Sequence, residues 1–77
     1  MREHRQQTVY AGDNDNDQII VISKDGNTTT LQLDYYPYCG ILMKNDTVLA
    51  VGCFGGSLIL VSVSNPLLPV QTNVIKL

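Results

Sequence analysis

Thr47-Val48-Leu49-Ala50-Val51-Gly52-Cys53-Phe54-Gly55-Gly56-Ser57-Leu58-Ile59-Leu60-Val61-Ser62-Val63 is the stretch that decides the fold. It carries no charge, and the absence of charge continues to Ile75. A membrane-spanning helix needs about 20 consecutive apolar residues. Here the apolar part is short, is centred on Gly55-Gly56, and is followed by Asn65, Pro66, Pro69 and Asn73. Two strands around a glycine turn account for it better than one helix. The second of them, Leu58-Ile59-Leu60-Val61, does not alternate with polar residues, and neither does Ile19-Ile20-Val21-Ile22 upstream. A strand apolar on both sides lies centrally in a sheet whose two faces are both covered.

Outward from these strands no segment shows apolar spacing at i, i+3, i+4 and i+7. Runs of Val, Ile, Leu and Thr alternate with Asp, Asn, Gly and Pro, which is an all-β pattern. Seven strands are expected, over residues 8–12, 18–23, 28–34, 39–44, 47–53, 57–63 and 70–76, joined as an antiparallel meander by short turns rich in Asn, Asp, Gly and Pro. Residues 1–7 form a polar arm carrying Arg2, Glu3, His4 and Arg5.

The two apolar strands belong to a repeat of 39 residues. Thr8-Val9-Tyr10-Ala11 aligns with Thr47-Val48-Leu49-Ala50, and Ile19-Ile20-Val21-Ile22-Ser23 with Leu58-Ile59-Leu60-Val61-Ser62, in one ungapped register. Over positions 8–23, five residues are identical and four more stay apolar. Residues 8–37 form a partial first unit and 38–77 a second. A period near 40 with four strands per unit is the mark of a β-propeller blade.

Leu49 to Pro66, a small strand, a glycine turn, an aliphatic strand and an Asn-Pro turn, resembles the propeller repeats of the WD40 kind and related bacterial repeats. Val61-Ser62 stands where WD40 repeats carry Trp-Asp, and their Gly-His pair is absent. The resemblance implies a propeller-blade-like meander. Propellers have 4–8 blades and this chain holds fewer than two. Several copies closing a ring, a longer chain, or a small β-barrel or sandwich would each resolve that.

The 77 residues, with net charge −2, 44% hydrophobic and 16% charged residues, make one small domain. Such a domain is marginal alone without a staple, a metal or an oligomer. The acidic balance speaks against nucleic acid, which calls for a basic patch. No apolar core follows the charged start as a signal peptide requires, so an intracellular, reducing setting is expected. On that expectation the glycosylation-like triplets Asn27-Thr28-Thr29 and Asn45-Asp46-Thr47 are coincidental.

Three groups of residues are candidates for chemistry. Asp13, Asp15 and Asp17 have the alternating spacing of a calcium loop, but no Gly follows Asp17 and no closing acid stands downstream. A solvated hairpin loop that tolerates neutral substitution is the simpler reading. Tyr35, Tyr36 and Tyr38 surround Pro37, either as a binding surface with apolar faces and polar tips or as packing at a corner. Cys39 and Cys53 lie equidistant from Asp46, so a three-residue turn pairs Cys39 with Cys53, Ile41 with Val51 and Met43 with Leu49. That register makes the thiols neighbours, bonded or free. Gly52, Gly55 and Gly56 serve turns rather than a phosphate loop, since no helix follows.

No nucleophile–base pair and no pair of carboxylates in an apolar setting is visible, so no enzymatic activity is expected. The expected function is a protein-interaction or scaffold module, working as a homo-oligomer or inside a larger assembly. A small-ligand or sugar-binding oligomer, or a small viral or phage structural or inhibitory protein, is the alternative.

Overall fold

A computed structural model describes residues 8–76. The polar arm expected over residues 1–7 lies outside the described residues. Over these residues the chain is all-β, with seven antiparallel strands in two sheets: β1 (Val9–Asp13), β2 (Gln18–Ile22) and β3 (Thr28–Gln32) form one, and β4 (Pro37–Met43), β5 (Val48–Cys53), β6 (Ser57–Ser62) and β7 (Val70–Lys76) the other. Within each sheet the strands are paired in chain order, because each connection is a short turn. The sheets stay open, so the barrel expected as an alternative does not form.

Each turn has a local cause. Between β2 and β3, the Ser23 hydroxyl accepts the N–H groups of Asp25 and Asn27 at 3.3 and 3.2 Å, and Gly26 supplies a φ of +90°. Between β5 and β6, Gly55 and Gly56 have φ values of +89° and +87°, which side chains rarely tolerate. Between β6 and β7, the Asn65 side chain accepts the Leu67 N–H at 3.3 Å ahead of Pro66 and Pro69.

The β4–β5 turn differs from the expectation. Lys44, Asn45 and Asp46 all have positive φ, between 54° and 65°, and the Thr47 N–H reaches back to the Met43 and Lys44 carbonyls at 3.1 and 3.2 Å. The turn therefore holds four residues, 44–47, and not three. The register moves by one: Met43 pairs with Val48, Leu42 with Leu49, Ile41 with Ala50, Gly40 with Val51 and Cys39 with Gly52. The expected pairs Cys39–Cys53, Ile41–Val51 and Met43–Leu49 are not formed. A bulge between Pro37 and Cys39 then sets Pro37 opposite Cys53.

The sheets share one core. Ile19, Val21 and Leu33 from the first meet Leu49, Val51, Cys53, Ile59, Val61 and Val63 from the second. Val21 and Ile59 have no exposed surface. The expectation that β2 and β6 need cover on both faces is met on one face only: Ile20, Ile22, Leu58 and Leu60 are half-buried.

Candidate interaction surface

Directly opposed residues of antiparallel strands lie on the same face of a sheet. In the four-stranded sheet, Leu49, Val51, Ile59 and Val61 therefore face the core, while Ile41, Ala50 and Leu60 share the outer face with Cys39, Gly52, Leu58 and Ile75. Met43, Val48, Ser62 and Val70 continue that outer face. Among the described residues it carries no charged side chain. Ile41 is 65% exposed and Val70 56%, and Ile75 and Met43 are also exposed. The β6–β7 ladder is irregular at Leu60/Val61, and there the Thr72 hydroxyl donates to the Leu60 carbonyl at 3.2 Å. In the three-stranded sheet the outer face holds Val9, Ala11, Ile20 and Ile22 among Thr28, Thr30, Gln18 and Gln32, with Asp13 at one end.

The tyrosines lie where the two sheets join. Tyr35 packs against the core with the Lys76 ammonium 5.0 Å from its ring centre. Tyr36 and Tyr38 are exposed, and both meet the Phe54 ring edge-on with centroids 4.7 Å apart. Phe54 is itself 54% exposed at the tip of the β5–β6 hairpin, and its N–H donates to the Tyr36 carbonyl at 3.0 Å. The sequence reading missed Phe54 as a member of this cluster. Its signal was the hydrophobic residue just before Gly55-Gly56: the expected Cys39–Cys53 register already sets it opposite Tyr38, and the observed bulge sets it opposite Tyr36 instead. Beside the cluster, an open cleft of about 670 Å³ runs between β1 and β4, bordered by Tyr10, Gly12, Tyr38, Gly40 and Leu42.

Asp13, Asp15 and Asp17 do not converge. The Asp13 carboxylate accepts from the Asp15 N–H at 3.2 Å, the Asn16 amide at 2.9 Å and the Gln18 amide at 3.0 Å. These bonds, the one from Asn16 foremost, hold Asp13 below the usual carboxylate range. Asp17 takes a left-handed conformation, φ +52°, to close the turn. Among the described residues no three acids, histidines or cysteines are grouped to hold a metal ion.

Both cysteines are free thiols. Cys39 is exposed on the outer face over Gly52, while Cys53 is buried in the core with its thiol 3.9 Å from the Val51 carbonyl. Burial, and secondarily negative charge at Cys39 and Asp17, push the Cys53 thiol up. No helix among the described residues is long and apolar enough to cross a membrane. Among the described residues every buried side-chain nitrogen and oxygen has a hydrogen-bond partner. Among the described residues the surface presents exposed apolar and aromatic area.

No family model, no curated protein and no solved structure matches the chain.

Proposed function

We propose that the chain is a non-enzymatic interaction module whose two outer sheet faces are covered in a homo-oligomer or a larger assembly. The observation that carries this is the uncharged outer face of β4–β7, where Ile41, Val70, Ile75 and Met43 are exposed around Leu58 and Leu60. Exposed apolar patches of this kind mark interaction sites. Two open meanders of three and four strands are also compatible with propeller-like blades, and that architecture is part of the proposal.

The reading predicts a thermal midpoint that rises with protein concentration, because association that favours the folded state stabilises it by mass action. A midpoint constant across a hundredfold concentration range contradicts it. The exposed Tyr36–Phe54–Tyr38 ledge favours a second reading, a site for a small ligand with an apolar face, such as a sugar ring. Chemical-shift changes confined to Phe54 and its neighbours on adding simple sugars would support that reading, and their absence would remove it.

A further inference from the structure

The strands β2 and β6 correspond across the 39-residue repeat, yet they bury alternate residues. Ile19 and Val21 are in the core, whereas their equivalents Leu58 and Leu60 are on the outer face. Ile20 and Ile22 are on the outer face, whereas their equivalents Ile59 and Val61 are in the core. Each outward residue on a central strand is thus the counterpart of one that, in the other sheet, makes the sheet-to-sheet contact. The flanking strands do not follow this inversion: the β1–β2 loop has four residues, 14–17, and the β5–β6 loop three, 54–56, so β1 and β5 keep the same phase.

Resting on the interaction-module reading, we propose that copies of this chain stack head-to-tail, the outer face of β4–β7 in one copy lying on the outer face of β1–β3 in the next. Leu58 and Leu60 then stand to Ile20 and Ile22 of the neighbour as Ile19 and Val21 stand to Ile59 and Val61 within one chain. One kind of contact covers both outer faces, and the contact within the chain is its template. Among the described residues neither face opposes this electrostatically, since the β4–β7 face has no charged side chain and Asp13 lies at the end of the other. A two-fold dimer through the β4–β7 face alone would leave Ile20 and Ile22 open. Head-to-tail contacts are heterologous and propagate until the rotation closes a ring.

Two substitutions at exposed positions test the pairing without entering the core. Ala11→Asp charges the β1–β3 face, and Ile41→Asp charges the β4–β7 face. Head-to-tail stacking predicts a wild-type particle of more than two copies, a folded monomer of 8.5 kDa for each variant alone, and a heterodimer of twice that mass when the two are mixed. Thr30→Lys with Val70→Lys, also exposed, repeats the experiment should either first variant lose its circular dichroism signal. Ala11→Asp retaining dimers by itself, or a mixture that stays monomeric, overturns the head-to-tail pairing and leaves the interaction module standing. A folded wild-type monomer overturns both.

Discussion

Cys39 lies across the β4–β5 ladder from Gly52, and its sulfur stands 3.0 Å from where a Cβ on residue 52 would be. Glycine at 52 is thus matched to the thiol opposite it. Elsewhere in a strand glycine costs about 0.5–1 kcal/mol relative to alanine. Gly52→Ala should recover that gain only when the thiol is gone. In the wild-type background it is expected to be neutral or destabilising, and in a Cys39→Ala background stabilising. A double-mutant cycle by urea unfolding should give a coupling of about 1 kcal/mol. Additive effects would contradict the contact.

The one-residue register change has a chemical readout. Cys39 faces outward and Cys53 is buried with a raised pKa. In the Ile41→Asp variant, where the outer face is open, an aromatic disulfide reagent should modify Cys39 in the folded protein. Cys53 should react only as the protein unfolds. Two thiols reacting equally fast in the folded protein, or an internal disulfide in the mass spectrum, would restore the register with Cys39 opposite Cys53.

The Asp13 loop should respond to acid. Its carboxylate is held below the ordinary value of 3.8 by bonds that only the charged form accepts fully. A depressed folded-state pKa contributes stability above the unfolded-state value and loses it as pH falls through the folded one. Asp13→Ala should therefore, against the expectation of a loop that tolerates neutral substitution, lower the midpoint of thermal unfolding at neutral pH, with the difference from wild type closing in strong acid. Asp15→Ala, at a side chain with no bond to the loop, should be silent, and calcium should change neither. A midpoint that climbs with calcium and falls back on Asp13→Ala would show an ion site instead.

Seven strands were legible because each is a short apolar or Thr-rich run ended by Asn, Asp, Gly or Pro. The β4–β5 register was not, because it hangs on one residue in the turn. Placing the large groups Ile41, Met43, Leu49 and Val51 together favoured a three-residue turn, yet the backbone puts Asn45 and Asp46, along with Lys44, into left-handed conformations and closes four. The cost is Ile41 and Met43 facing outward, a loss for an isolated chain and none where that face is covered. The aromatic site was half legible: Tyr36 and Tyr38 stood out in the sequence, whereas Phe54 was passed over as part of the glycine turn, although even the three-residue turn would have set it opposite Tyr38.

Ile59, fully buried between the sheets, tests the shared core. Ile59→Ala should cost about 2–5 kcal/mol through lost burial and the cavity left behind. Leu60→Ala, one residue on but outward, should cost far less in the Ile41→Asp monomer. Equal losses at the two positions would mean that β6 is covered alike on both sides within one chain.

Whether other molecules cover the outer faces is tested most directly by the mass of the native particle. Sedimentation equilibrium of the purified chain at low micromolar concentration should give a multiple of 8.5 kDa. A well-folded particle of 8.5 kDa, with the β-sheet spectrum intact, would contradict it.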